Sequence, residues 1–157
     1  MSIRLSTEEA WAELAGSHTG ILTTLRADGT PIALPVWFVA LDGRIYVSGP
    51  AHTKKFARVA RNPRCSFLVE SGERWAELRA VHLTGTATAV TMVTDAELLE
   101  RVGAALDEKY RSFRTNVAAM PDATRQHYDV ENTTIEIVPD DRILSWDNAR
   151  LGVGFDG

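Results

Sequence analysis

The sequence predicts a mainly β fold of the α+β class, a six-stranded antiparallel barrel with short helices around it. Segments with the period and composition of strands mostly follow one another directly, and no regular alternation of strand and helix is present. Neither a Gly-x-Gly-x-x-Gly nor a Walker phosphate-binding motif occurs, which argues against a doubly wound or P-loop fold. The chain has 157 residues, no repeat and no linker, so we expect a single domain over 1–157.

The first third of the chain is predicted to form a helix and then a three-stranded meander. A Ser-x-x-Glu capping box opens a helical pattern over residues 7–15, and Gly16 ends it. Two Asp-Gly pairs follow, and such pairs form tight hairpin turns because they tolerate positive φ. The strand-like segments around these turns cover residues 20–25, 32–41 and 44–48.

The rest of the chain combines helices with longer strands. Apolar residues keep helical spacing over 54–61 and again over 98–110. The strand-like segments in this part are 65–69, 75–90, 133–138 and, more briefly, 143–146. Residues 121–132 are expected to form a loop with room for a helical turn, and residues 150–157 a loose tail.

Charge and composition argue against several classes of function. A net charge of −4 does not suit nucleic-acid binding, which needs a basic surface. No apolar run approaches the ~18 residues of a membrane span, and the N-terminus lacks the apolar core of a signal peptide. The four histidines lack the spacing of metal ligands, and the single cysteine cannot form a disulfide within the chain. We therefore expect a cytoplasmic protein that binds no metal, nucleic acid or membrane.

Lys54 and Lys55 stand where a strand runs through a turn into a helix. Helix N-termini carry partial positive charge, which repels lysines and attracts anions. Paired lysines at this point therefore indicate a bound anion such as a phosphate, with Ser48 and Thr53 as nearby hydroxyl donors. A solvated basic turn is the other interpretation that the spacing allows.

Two aromatic residues and one arginine are further candidates for ligand contact. Trp37 and Phe38 are adjacent in a strand, so their side chains point to opposite faces. One can enter the core while the other faces a flat ligand or a partner subunit, although a core with a satellite cluster would give the same pattern. Arg79 lies in a β segment, where it lines a pocket or the solvated face of the sheet.

Four segments of the chain, in this order, resemble a known family. The segments are 20–31, 35–38 with 43–48, 53–55 with 62–67, and 77–87, and a weaker similarity covers 143–147. Together they span about residues 18–90, and they resemble the pyridoxamine-phosphate-oxidase-like split β-barrel family in its flavin and deazaflavin oxidoreductase branch. The third segment is similar to the family's Ser-Arg-Lys phosphate loop, with the same step of eight residues from Lys55 to Pro63.

The resemblance implies a homodimeric FMN-binding split β-barrel with two cofactors at the subunit interface. It implies that the strand around Val36, Trp37 and Phe38 lies along the ring of the cofactor. The residues that would hold the phosphate are Ser48, Thr53, Lys54 and Lys55. Trp37, Arg79 and Trp146 are candidates to orient the substrate.

The C-terminal segment departs from the pyridoxamine phosphate oxidases themselves. Those enzymes carry an Arg-x-His-Asp-Arg-like motif for the substrate, whereas this chain has Ser-Trp-Asp-Asn-Ala-Arg over 145–150. Vitamin B6 oxidation is therefore disfavoured, and the ending is more similar to the branch associated with coenzyme F420. We expect an F420-dependent reductase that transfers a hydride to a small, flat, unsaturated substrate. The alternatives are an FMN-dependent oxidase or reductase, and a non-catalytic protein that binds flavin or haem.

Overall fold

The computed structural model describes residues 2–152, which form one antiparallel sheet with helices packed against it. Over these residues the strands are β1 (Gly20–Leu25), β2 (Pro31–Val36), β3 (Val39–Leu41), β4 (Arg44–Pro50), β5 (Arg64–Ser71), β6 (Arg79–Val90) and β7 (Asn132–Asp147). The α-helices of the same part are α1 (Thr7–Gly16), α2 (Lys54–Arg61), α3 (Met92–Tyr110) and α4 (Asp122–Tyr128). The order of strands across the sheet is β2-β1-β5-β6-β7-β4-β3.

The sheet curls into a half-barrel because one short link joins its two edges. Strands β2 and β3 lie at opposite edges, yet only Trp37 and Phe38 separate them in the chain. Three peptide steps cannot span more than about 11 Å, so the two edges must approach each other. The mainly β split-barrel expectation is thereby confirmed.

One predicted strand is two strands in the structure, and the described residues form seven strands where a six-stranded barrel was expected. The segment 32–41 breaks at Trp37, and its halves pair with different neighbours: β2 with β1, and β3 with β4. The strand-like composition continues through the break because both halves form β strands. Only the pairing partners differ, and they are set by tertiary structure.

Among the later β segments, two predicted strands form a single strand in the structure. The two strands expected over 133–138 and 143–146 form one continuous strand, β7, whose pairing with β6 shifts register between Leu83 and Gly85. A Cβ at Gly85 would lie 2.5 Å from the carbonyl oxygen of Val138, so this close approach requires glycine. The segment expected to begin at residue 75 starts instead with a 3-10 turn, Trp75–Glu77, before β6.

The core lies on the inner face of the curled sheet and is closed by α1 and α2. Burial alternates along β1 and along the first part of β5, so one face of these strands packs inward. The most deeply buried side chains of this core include Leu14, Leu22, Phe38, Ile45, Phe67, Leu83 and Ile137. No helix of the described residues is long and apolar enough to cross a membrane.

Both ends of the described chain pack on each other. The capping box that opens α1 is present, with Ser6 Oγ accepting from the amide of Glu9. Arg150 donates to the carbonyl oxygen of Arg4 over 2.8 Å and lies 2.6 Å from the Glu9 carboxylate. Arg150 begins the predicted tail, and residues 153–157 of that tail lie outside the described residues.

Candidate functional site

A cavity of about 440 Å³ opens where the sheet is split. Its walls are the last residues of β2 and the link that follows, the end of β4, the start of α2, and the C-terminal end of α3. It brings together five of the residues proposed from the sequence to contact the cofactor: Val36, Trp37, Ser48, Thr53 and Lys55. We call it the Trp37 cavity.

The aromatic end of the Trp37 cavity is a stack of two rings. Trp37 and Tyr110 lie parallel, with 4.3 Å between ring centroids and 2° between the planes. Trp37 remains 39% exposed, whereas Tyr110 is fully buried. Burial raises the pKa of Tyr110 above its ordinary value, so the phenol stays protonated. The stack therefore contributes both rings to the cavity lining and anchors the more exposed Trp37 on α3.

The Tyr110 hydroxyl holds the strand break in place. It accepts from the amide of Phe38 over 2.9 Å, and it lies 2.7 Å from the carbonyl oxygen of His18, to which it can donate. The Phe38 side chain points the other way, into the core, where it meets Phe67 edge to face at 4.8 Å. Phe38 thus contributes backbone to this region, and its ring does not line the Trp37 cavity.

The cationic end of the Trp37 cavity is formed by β4 and α2. Lys55 is half-buried, and its Nζ lies against the backbone of β4, 3.7 Å from where a Cβ of Gly49 would stand. Burial lowers the pKa of Lys55, and the nearby charge of Arg58 lowers it further. Lys54 is exposed at the first position of α2 and does not line the cavity.

The two hydroxyls at this end already have partners within the chain. Ser48 Oγ lies 2.5 Å from Thr134 Oγ1 on β7, and either oxygen can be the donor. Thr53 Oγ1 donates to the carbonyl oxygen of Pro50 over 3.0 Å. Thr53 precedes α2 without capping it through its side chain, so the helix start keeps amide donors free of side-chain caps.

Six lining residues from the C-terminal third were not identified as site residues from the sequence: Leu106, Tyr110, Arg114, His127, Tyr128 and Asn132. They come from the end of α3, from the helix α4 in the segment expected to be a loop, and from the start of β7. His127 Nδ1 lies 3.1 Å from His52 Nε2, which ties α4 to the turn before α2. No local motif marks these positions, because only the tertiary fold brings them to the cavity.

Arg79 and Trp146 lie outside the Trp37 cavity. Arg79 Nε is 2.7 Å from a Glu13 carboxylate oxygen, and its Nη1 is 3.1 Å from Asp147. Trp146 pairs with Ala80 and is 37% exposed. Arg79 begins β6, and Trp146 lies near the end of β7, whereas the cavity contains Asn132 from the start of β7. Within one chain the two residues therefore do not line the Trp37 cavity.

A half-barrel closed by a two-residue link, with a cleft at the split, defines the class of split β-barrel proteins. The family model of pyridoxamine 5'-phosphate oxidase matches residues 6–139 of this sequence. The chain therefore belongs to the pyridoxamine 5'-phosphate oxidase family, which confirms the resemblance drawn from its motifs.

Solved structures share the fold. The conserved hypothetical protein Rv2991 from Mycobacterium tuberculosis is 31% identical, with a TM-score of 0.80 over 99% of this chain and 92% of that one. The haem storage protein HutZ from Vibrio cholerae is 16% identical, with a TM-score of 0.67 over 93% and 96% of the two chains. A protein described as an F420 reductase is 20% identical, with a TM-score of 0.59 over 85% and 94%. The last two show the fold alone, and comparison with curated proteins gives no match.

Proposed function

We propose that this protein is a coenzyme F420-dependent reductase that passes a hydride to a small, flat, unsaturated substrate. The observation that carries the proposal is the Trp37 cavity itself, which has a strand edge and an aromatic ring at one end and a half-buried cation at the other. A cofactor whose ring system is joined by a polar chain to a phosphate carries groups that complement the two ends of the cavity in the same order. FMN shares that design, so an FMN-dependent oxidase or reductase is the first alternative.

The residues present fit such a cofactor. Ligand cavities usually enclose roughly 300–1,000 Å³, and the Trp37 cavity lies within that range. Its Lys55 has no carboxylate among the groups that shift its pKa, so its charge is available to a phosphate. β2 is an edge strand, and edge strands carry backbone N–H and C=O groups without a strand partner. Those groups near Val36 suit the pyrimidine edge of a flavin or deazaflavin ring.

The chain's own part in the reaction is to bind, orient and exclude water. When bound, the cofactor supplies the hydride. The cavity walls lower the local dielectric around the half-buried Lys55, which strengthens its attraction for an anionic group. Trp37, held parallel to Tyr110, offers a flat apolar surface for one side of a planar ligand.

The proposed function also involves a second copy of the chain. Residues paired across the sheet point to the same face, and one row on the outer face runs through Pro35, Ile21, Leu68, His82 and Leu144. Four of the five are apolar, and the row crosses five strands, or roughly 19 Å. Leu144 is 44% exposed. We propose that this outer face forms the homodimer interface, across which Arg79 and Trp146 of one copy would reach the cavity of the other.

Parallel titrations of the apo protein with coenzyme F420, FMN and haemin test the cofactor. Ligand fluorescence or absorbance and the shift in Tm are the readouts. Preferential F420 binding, followed by turnover with unsaturated acceptors, is the expected result. Preferential FMN binding would favour the first alternative, and tight binding without turnover would favour a storage or carrier role.

Leu144→Arg tests the interface, because a charge placed in an apolar interface is costly. We expect it to convert a dimer to a monomer in size-exclusion chromatography with light scattering. Val93→Arg is the matched control, since Val93 is 96% exposed and lies on α3 rather than on the sheet. A dimer that survives Leu144→Arg would refute this interface.

A further inference from the structure

The helix α4 forms part of the wall of the Trp37 cavity but places no residue in the core. His127 and Tyr128, at its C-terminal end, line the cavity. None of its residues is buried. Its ion pair, between Asp122 and Arg125, stays within the helix. Packing therefore does little to hold α4 in place, and its side-chain contacts with the rest of the chain become decisive.

One such contact is a hydrogen bond between two imidazoles. His127 Nδ1 lies 3.1 Å from Nε2 of His52, in the turn before α2, and the rings meet edge to face with 4.6 Å between centroids. Among residues 2–152, no other side-chain hydrogen bond or ion pair joins α4 to another part of the chain. The backbone after the helix is fixed, because the amide of Ala51 donates to the carbonyl oxygen of Glu131 over 3.0 Å. The two histidines, which we call the histidine pair, therefore tether α4 at the cavity.

The hydrogen bond of the histidine pair depends on protonation. A neutral imidazole has one donor and one acceptor nitrogen, so two neutral rings, or one neutral and one protonated ring, can form the bond. Two protonated rings have only donors, and their charges repel each other. Histidine is the side chain whose charge ordinarily changes between about pH 5 and 8. The bond is therefore present at neutral pH and is lost when the second proton binds.

Charged groups in the surrounding elements act on the histidine pair in both directions. Five of them lie on the cavity wall or next to the pair in the chain: Lys54, Lys55, Arg114, Asp129 and Glu131. The three cations oppose a further positive charge, and the two carboxylates favour it. The residues that line a neighbouring cavity together with His52 carry no charge. The surroundings thus supply no excess of negative charge, and the second proton binds only under acid conditions.

We propose that the histidine pair is a proton-sensitive latch that holds α4 against the Trp37 cavity. At neutral pH, the bond between His52 and His127 keeps the C-terminal end of α4 on the cavity wall. Protonation of both rings removes the bond and sets two like charges side by side, so α4 moves away and the cavity opens. The latch is a property of the fold and does not depend on which ligand the cavity takes.

Hydrogen exchange of the α4 amides tests the latch in the apo protein. Exchange is followed by mass spectrometry at about pH 7.5 and about pH 5.5, and each rate is divided by the chemical exchange rate of an unstructured chain at that pH. A chelator is present throughout, because a metal ion bound by both imidazoles would replace the bond. We expect α4 to be protected at the higher pH and to lose that protection roughly tenfold at the lower one. Helix α1 is the internal control and should keep its protection.

Three variants separate the latch from a general effect of acid. In His52→Gln, the amide can accept from His127 and does not titrate, so α4 should be equally protected at both pH values. In His52→Ala, the bond is absent, and protection should be low at both. His82→Gln is the matched control, because His82 lies on β6, and it should respond to pH as the wild type does. Unprotected α4 at about pH 7.5, an equal protection of the wild type at both pH values, or a wild-type response in His52→Gln would each overturn the proposal.

Ligand release connects the latch to the cavity, and this arm rests on the proposed function. Dissociation of coenzyme F420 and of FMN is measured by stopped-flow fluorescence at the same two pH values. Acid should speed dissociation in the wild type severalfold more than in His52→Gln. An equal acceleration in both would show that the latch does not close the cavity. If neither cofactor binds while the exchange results are as expected, the latch stands and the proposed function fails.

Discussion

The two ends of the Trp37 cavity differ in whether their polar groups have partners within the chain. At the aromatic end, the Tyr110 hydroxyl contacts the backbone of both Phe38 and His18, and its ring is covered by Trp37. At the cationic end, the half-buried Lys55 has no carboxylate among the groups that shift its pKa. The polar groups of the first end are satisfied by the chain alone, whereas the cation of the second end forms no ion pair with a carboxylate of residues 2–152. Substitutions should therefore affect stability at the first end and ligand binding at the second.

The largest effect on stability is expected from Tyr110→Ala. It removes a buried ring and the hydroxyl that holds the strand break, and loss of a large buried aromatic side chain costs ~3–5 kcal/mol. Tyr110→Phe keeps the ring and leaves the Phe38 amide without its partner, for which we expect ~1–3 kcal/mol. Denaturant unfolding of both variants gives the two values. Equal losses would show that the hydroxyl, rather than the ring, carries the contribution of this residue.

The next largest effect is expected from a substitution at Lys55, and it concerns ligand binding rather than stability. Lys55→Ala should weaken binding of the phosphorylated cofactor by ~1.5–3 kcal/mol, because it removes a charge-assisted hydrogen bond. Lys54→Ala, one residue earlier and exposed, is the control and should change affinity far less. Calorimetric titration measures both. If Lys54→Ala has the larger effect, the motif-based pairing of the two lysines is right and the cavity geometry misleading.

The smallest effect on stability is expected from substitution of Lys109, a cation next to Tyr110 at the aromatic end. Its Nζ donates to the carbonyl oxygen of Phe38 over 2.9 Å, and burial lowers its pKa to about 8. The unfolded chain keeps this proton up to the ordinary value near 10.5, so it binds more protons than the folded state above about pH 8. This group therefore raises stability as pH increases from 8 to 10.5, and its penalty is fully present below pH 8.

Lys109→Met should reduce that pH dependence. Thermal unfolding followed from pH 7 to pH 10 should show a flatter Tm profile than the wild type. Lys54→Met serves as the control, because Lys54 is exposed. An identical slope in Lys109→Met and the wild type would mean that the Phe38 carbonyl and the neighbouring rings fully offset the burial of this charge.

Local patterns in the sequence were sufficient for most of the individual elements. The period-two burial of β1 and the Ser6 capping box follow from short-range interactions, and both are present. The break at Trp37 was not predictable in the same way, because residues on both sides of it favour strands equally. Its cause is the pairing of β2 and β3 with partners at opposite edges of the sheet.

The candidate site was only partly readable from the sequence for the same reason. Trp37 and Lys55 stand in short segments with a recognisable order, and the family resemblance identified them. Tyr110 appeared only as one position of an apolar helical stripe. His127 appeared only as one of four histidines without the spacing of metal ligands, and nothing local shows that its imidazole meets His52. Burial and contacts of this kind are properties of packing between distant segments.

The sequence by itself determined the β-rich architecture, the family and the order of the motif-bearing segments, because periodicity, turns and motif spacing act over a few residues. Only the tertiary structure decided which of those residues share one cavity, which stay at the far end of β7, and which two histidines meet at the cavity wall. The physical reason is that closing the half-barrel brings segments more than 70 residues apart into hydrogen-bond contact, as for Phe38 and Tyr110.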